Sequence, residues 1–125
     1  MKTALVVEDT PDNLVLIQDI LELNGFRVVH AEDGQQGIEK AKQAGLDLIL
    51  LDIQLPDIDG FQVLKAIRHD PCCDQLPIIA MTSYAMAGDR KRLLNAGCDG
   101  YIEKPIDPSV VMRQIEACMQ AKRKP

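Results

Sequence analysis

LILLDIQLPDIDG, Leu48 to Gly60, runs from four consecutive aliphatic residues into three aspartates, Asp52, Asp57 and Asp59. A continuous apolar run has no solvent-facing side, so it reads as a strand covered on both faces, the condition of central strands in parallel sheets. Asp57-Ile58-Asp59-Gly60 resembles positions three to six of a calcium loop. That register places Leu55 at the first ligand position and Ala66 at the twelfth, where a bidentate glutamate is required, so the calcium reading fails. Asp52 is left closing a buried strand. Asp57 and Asp59, beyond Pro56, read as turn chemistry, with Asp59 an N-cap for a helix that starts near Gly60.

Outward from this segment the same alternation repeats. Leu5 to Val7, Ile78 to Met81 and Gly100 to Ile102 read as further strands, and Phe26 to His30 as a fifth. Helical spacing lies between and after them at Leu14/Ile17/Leu21, Ile38/Ala41, Phe61/Leu64/Ile67, Leu93 with Leu94, and Val111/Ile115/Cys118. Gly25, Gly45 and Gly97 stand where left-handed helix stops belong, and Thr10-Pro11 and Asp107-Pro108 combine a capping side chain with a proline suited to the first helical position. Five strand-helix units without a linker or repeat predict one doubly wound α/β domain spanning residues 1–125.

Composition narrows the class. At 125 residues the chain can bury one core without disulfides or metal. No apolar run approaches the roughly 18 residues that span a bilayer, and Glu8 and Asp9 interrupt any leader, so a cytoplasmic protein with no membrane partner is expected. The net charge of −5 argues against nucleic acid as a partner. Cys72, Cys73, Cys98 and Cys118 form no CxxC pair, and neither His30 nor His69 stands at zinc-like spacing from them, so the cysteines read as reduced thiols. His30 and His69 themselves read as surface or packing residues. Lys122-Arg123-Lys124 reads as a helix end complementing its dipole, or a solvated tail.

The residues that end the strands carry the chemistry. Leu5 to Val7 runs into Glu8-Asp9, Leu48 to Leu51 into Asp52, Ile78 to Met81 into Thr82, and Tyr101-Ile102 into Glu103-Lys104. Open α/β sheets bind ligands beyond the carboxyl ends of their strands, so these side chains are expected to meet. Carboxylates about 4 Å apart repel by about 4 kcal/mol per pair at an effective dielectric near 20. Lys104 alone does not balance Glu8, Asp9 and Asp52, which leaves either a protonated carboxylate or a bound divalent cation. Mg²⁺ suits a site of few carboxylates with positions open to phosphate oxygens, and Mn²⁺ is its natural substitute. With a Thr82 hydroxyl and a Lys104 charge nearby, the set suits phosphoryl transfer, with Asp52 the best placed nucleophile.

VVED at Val6 to Asp9, LLDIQLPDIDG at Leu50 to Gly60, MTS at Met81 to Ser83 and YIEKP at Tyr101 to Pro105 follow one another in the order and spacing of a known family. Across essentially its whole length the chain resembles the receiver domain of two-component response regulators. GFQVLKAIR and SYAMAGDRKRLLNAGCDGYIEKPI are similar to DivK-type single-domain regulators and to the receivers of hybrid kinases. The resemblance implies a flavodoxin-like sheet of order 2-1-3-4-5, phosphoryl transfer to Asp52 from a histidine kinase or phosphotransfer protein, and Mg²⁺ held by Asp9, Asp52 and the backbone carbonyl of Gln54, with Glu8 acting through a bound water. It implies that Thr82 and Lys104 contact the phosphoryl oxygens, that Lys104-Pro105 is a cis peptide, and that Tyr101 turns inward in the active state. The surface of the fourth helix, fifth strand and fifth helix would then control a downstream protein. Ser83 keeps the site accessible, and Gln54 and Tyr84 flank the path of hydrolytic water and so tune the phosphoryl lifetime.

A haloacid-dehalogenase-type phosphatase would need a second aspartate where Gln54 stands, and a larger core. A flavin or dinucleotide binder would need a phosphate loop or GxGxxG after the first strand, where Glu8-Asp9 repels phosphate. The expectation is a stand-alone switch, not an enzyme, acting as a monomer or weak dimer. A receiver cut from a hybrid kinase is the alternative, against which Met1 and the short tail speak.

Overall fold

The computed structural model describes residues 1–43, 45–83 and 87–123; Tyr84, the Cys72 thiol and Lys124 lie outside that description. Five parallel strands, β1 (Lys2–Val7), β2 (Phe26–Ala31), β3 (Leu48–Asp52), β4 (Ile78–Thr82) and β5 (Gly100–Glu103), pair in the order β2-β1-β3-β4-β5. Helices α1 (Pro11–Leu23), α2 (Gly34–Ala41), α3 (Gly60–His69), α4 (Ala87–Asn95) and α5 (Val111–Arg123) alternate with them, and a 3₁₀ turn at Pro71–Cys73 follows α3. This is the doubly wound sheet that the apolar runs predict.

The pleat sorts each continuous run into two cores. Ala4 and Val6, Leu48 and Leu50, and Ile79 and Met81 pack with Ile17 and Leu21 of α1 and Ile115 of α5. Leu5 and Val7, Ile49 and Leu51, and Ile78 and Ala80 pack on the other face with Val63, Leu64 and Ile67 of α3 and Leu93 of α4. Every side chain of β3 is buried, and each fully buried aliphatic residue favours folding by about 2 kcal/mol relative to exposure. This is why the central strands carry no alternation.

Gly25 and Gly97 have φ of 85° and 114°, the left-handed stops expected after α1 and α4; Gly45, at φ 89°, lies three residues beyond Lys42, the C-cap of α2, so it shapes the following loop and does not end that helix as expected. Asp59 caps α3 as predicted, accepting from Phe61 N at 2.9 Å. Asp107 accepts from Ser109 N at 2.9 Å and Ser109 Oγ at 2.7 Å, but a tight turn fills residues 108–110, and α5 proper begins at Val111. Thr10 departs from expectation: it occupies the N-cap of α1 without a side-chain cap bond. Its N–H is instead held by Glu8 Oε1 at 3.2 Å, while Asp12 supplies the negative charge of the first turn. Leu94, read as apolar helix packing, is 50% exposed, and Leu93 beside it carries the buried contact.

At the amino end of the sheet Arg68 fastens several elements. Its Nε donates to Gly97 O at 2.7 Å, and Nη1 donates to Cys73 O at 2.8 Å and Leu76 O at 2.6 Å. Its Nη2 pairs with Asp99 Oδ2 at 2.6 Å, an oxygen that also accepts from Ile78 N at 2.9 Å. Lys122 of α5 pairs with the other Asp99 oxygen at 3.2 Å. The ends of α3, α4 and α5 and the start of β4 are thereby tied together, away from the carboxyl edge.

Candidate functional site

Chain order reverses between β1 and β3: β2 lies on one side of β1, and β3 to β5 lie on the other. The crevice at their carboxyl ends is where a doubly wound sheet places a ligand. The pleat decides which side chains reach it. Asp52 is two residues beyond Leu50 and Glu8 two beyond Val6, so both continue rows that pack against α1 and α5; Lys104 does the same after Ile102.

The three side chains meet. Lys104 Nζ lies 3.0 Å from Asp52 Oδ2 and 3.3 Å from Glu8 Oε2. Asp52 Oδ1 accepts from Gln54 N at 2.9 Å, which orients the carboxylate from its other side. Glu8 and Asp52 are each 1% exposed, Thr82 at the end of β4 is 3% exposed, and Asp9 is exposed. Lys104-Pro105 is cis, as the resemblance implies.

Burial and the neighbouring Asp52 charge hold the Glu8 carboxyl above its ordinary value, against the opposing pull of Lys104 and the Thr10 amide. For Lys104, burial by itself would lower the pKa. The hydrogen bond and charge of Asp52, joined by Glu8, outweigh it and raise the ammonium above its usual range. One lysine thus faces three carboxyl groups.

Ligand oxygens of Glu8, Asp9 and Asp52 all lie within 4.8 Å of one another. Glu8 Oε2 is buried without a hydrogen-bond partner, because Lys104, although 3.3 Å away, is directed toward Asp52. Three crowded carboxyl groups and a buried oxygen without a hydrogen bond fit a divalent cation, and this hard oxygen set suits Mg²⁺. Among the described residues no other group of His, Cys, Asp and Glu converges in this way, so the calcium reading of Asp57 and Asp59 has no counterpart here.

The other expected residues fall around this centre. Ser83 and Gln54 are exposed, flanking Thr82 and Asp52, while Tyr84 lies outside the described residues. Tyr101 is half-buried on β5, with the Arg90 guanidinium of α4 5.3 Å from its ring centroid. Cys73, Cys98 and Cys118 are thiols outside any disulfide, and burial pushes Cys98 up to about 11.

Two residues have more specific places than their sequence contexts announce. Asp57, read as a loop-shaping residue, accepts from Gly34 N at 2.7 Å and Gln35 N at 3.0 Å, capping α2 from the β3–α3 loop. These bonds hold its carboxyl below the usual range. His30, read as a surface or packing residue, places Nε2 2.9 Å from the carbonyl oxygen of Glu8. Parity was the available signal: Phe26, Val28 and His30 share one face of β2, which is the face of Glu8 on β1.

A model of the response regulator receiver domain matches residues 4–116. The polar-differentiation response regulator DivK of Brucella anthropi is 38% identical over 105 residues, covering 84% of this chain and 85% of that protein. The receiver domain of a sensor histidine kinase from Pseudomonas aeruginosa PAO1, solved with a magnesium ion in its active-site cleft, has 34% identity and a TM-score of 0.86, covering 95% of this chain and 98% of that one. A CheY-like receiver domain protein from Methanospirillum hungatei has 30% identity and a TM-score of 0.87, covering 98% and 96%.

Proposed function

Because this chain belongs to the response regulator receiver domain family of two-component signalling, we propose that Asp52 is its phosphoryl acceptor and that Glu8, Asp9, Asp52 and the Gln54 carbonyl hold Mg²⁺. The observation that carries the reading is the convergence of three carboxylates on a single lysine, with one buried oxygen left unpartnered. When bound, Mg²⁺ neutralises the carboxylates and the incoming phosphoryl oxygens.

Gln54 N–H and Lys104 Nζ hold the two Asp52 oxygens, so the nucleophile is oriented before a donor arrives. A carboxylate oxygen attacks the phosphorus of a phosphohistidine on a kinase or phosphotransfer protein. The P–O bond forms as the P–N bond breaks, and the leaving imidazole keeps the electron pair and takes a proton from solvent. Lys104 then transfers its hydrogen bond from Asp52 to a phosphoryl oxygen, and the Thr82 hydroxyl donates to another.

Movement of Thr82 toward the phosphoryl group draws Tyr101 inward and alters the α4–β5–α5 face, which selects a downstream protein. The exposed Ser83 leaves the acceptor accessible, and Gln54 together with Tyr84 sets the rate at which water removes the phosphoryl group. The protein acts as one receiver domain, a switch rather than an enzyme, monomeric or weakly dimeric. No helix among the described residues is long and apolar enough to cross a membrane, and the cytoplasm is the compartment proposed.

Incubation with Mg²⁺ and acetyl phosphate tests this by intact mass. One hydroxylamine-sensitive phosphoryl group should appear on the wild type and none on Asp52→Ala. An equal adduct on that variant, or none on the wild type, rejects the assignment.

A further inference from the structure

Asp9 is exposed, so packing does not hold its carboxylate toward Glu8 and Asp52; its backbone must do so. The backbone at that point is the Glu8–Asp9 peptide, directly beyond β1. Glu8 N donates to Ala31 O at 3.0 Å, and His30 meets the Glu8 carbonyl oxygen at 2.9 Å. A carbonyl oxygen only accepts, so Nε2 is the protonated nitrogen. Because a peptide is planar and this one is trans, fixing its C=O also fixes the Asp9 N–H and Cα. The Ala31 bond fixes the preceding Val7–Glu8 peptide, and the His30 bond holds the carbonyl of the peptide from which the Asp9 side chain departs.

His30 is itself held. It pairs in register with Val6 on β1, and its carbonyl accepts from Lys40 Nζ of α2. His30 lines a cleft of about 520 Å³ together with Glu8, Asp9, Pro11, Glu32 and Asp33. An apolar residue there would fill the same row as Phe26 and Val28, but would leave the Glu8 carbonyl bound to nothing from that strand.

We propose that His30 is a positioning residue for the divalent cation: its Nε2–H bond to the Glu8 carbonyl sets the Glu8–Asp9 peptide plane and so directs the Asp9 carboxylate at the metal. The role rests on the metal site proposed above. His30 contacts no ligand; it acts through the peptide that joins two of them, as outer hydrogen-bond partners orient metal ligands elsewhere.

The test is a MgCl₂ titration of ¹⁵N-labelled protein, following the Asp9 and Asp52 amides, for the wild type, His30→Leu and His30→Gln. Leucine keeps bulk without a donor, and glutamine keeps an N–H donor without the ring. His30→Leu should bind Mg²⁺ about tenfold more weakly, with the Asp9 amide displaced before any metal is added, and His30→Gln should recover affinity to within about twofold. Should His30→Leu not fold, His30→Ala read against His30→Gln makes the same comparison. A donor-less variant that binds Mg²⁺ as tightly as wild type, or a glutamine variant as weak as leucine, overturns the role of His30 alone. A wild type whose Asp9 and Asp52 amides ignore Mg²⁺ overturns the metal site and this role with it.

Discussion

Glu8→Gln should make the metal-free protein more stable and the metal-bound protein less so. Glutamine keeps the shape of the side chain and an oxygen for the Thr10 amide, removes the charge, and sets an NH₂ in place of the Oε2 beside Lys104. With the Asp52 oxygens within 4.8 Å, ionised Glu8 is opposed by about 3.5 kcal/mol at an effective dielectric near 20; Lys104 at 3.3 Å favours it by about 5 kcal/mol. The balance of about 1.5 kcal/mol is smaller than the several kcal/mol needed to keep a carboxylate 1% exposed, and Asp9 adds further repulsion. Net, ionised Glu8 costs the metal-free fold about 2 kcal/mol, in the same direction as its raised pKa. With a denaturant slope near 2 kcal/mol per molar, Glu8→Gln should raise the urea midpoint in EDTA at pH 7 by roughly 1 M.

The pH dependence has a definite sign. Below the ordinary value of 4.5 Glu8 is protonated in both folded and unfolded chains, and the substitution changes little. As pH rises the unfolded chain ionises first, so the penalty on the wild type grows until its raised folded pKa is passed and is constant above it. Saturating Mg²⁺ at 100 times the wild-type Kd adds about 2.7 kcal/mol to the wild type; a variant weakened more than about 40-fold gains less than about 0.7 kcal/mol, and the order then reverses. A Glu8→Gln protein no more stable than wild type in EDTA at pH 7 would refute the claim that the cluster is held charged and crowded.

Three further outcomes follow from the geometry. Arg68→Ala leaves Asp99 without a principal partner and should cost about 3–5 kcal/mol by urea unfolding, while the folded protein takes phosphate from acetyl phosphate at the wild-type rate; a slowed rate would mean that this end of the sheet is coupled to the acceptor. Gly60→Ala would place a Cβ 2.4 Å from Ile53 Cα, a backbone contact that cannot yield, and should unfold the protein or displace the β3–α3 loop; a wild-type Tm would contradict the close approach. Asp57→Ala should lower the Tm at pH 7, with the difference shrinking as pH falls below 3.8 through the depressed folded pKa, since that carboxylate stabilises only while ionised; a difference independent of pH would point to another cause.

The sequence made the convergence of these side chains legible because strand burial and their placement share one periodicity. Leu48 to Leu51 announced a doubly covered strand, and the next residue had to emerge at its carboxyl end, so Asp52 was located by the same run that located β3. Glu8, Thr82 and Lys104 followed by the same rule. Contacts between elements were hidden. Asp57 caps a helix 23 residues earlier, Arg68 reaches Gly97 and Asp99, and His30 reaches Glu8 across 22 residues, none of which leaves a local pattern. At Thr10 the local capping pattern misled: its side chain makes no cap bond, and its own amide is bound by Glu8, a carboxylate of the cluster.

The Asp57 cap has a consequence for observing the protein at work. Gly34 and Gln35 amides are sheltered by a carboxylate borne on the same loop that follows Asp52, the proposed acceptor, so their hydrogens can exchange with solvent only when that loop swings away or the first turn of α2 frays. These two amides are therefore a remote window onto the acceptor loop. Deuterium uptake there, compared before and after phosphorylation, reports how often the loop opens without a probe being placed in the site itself.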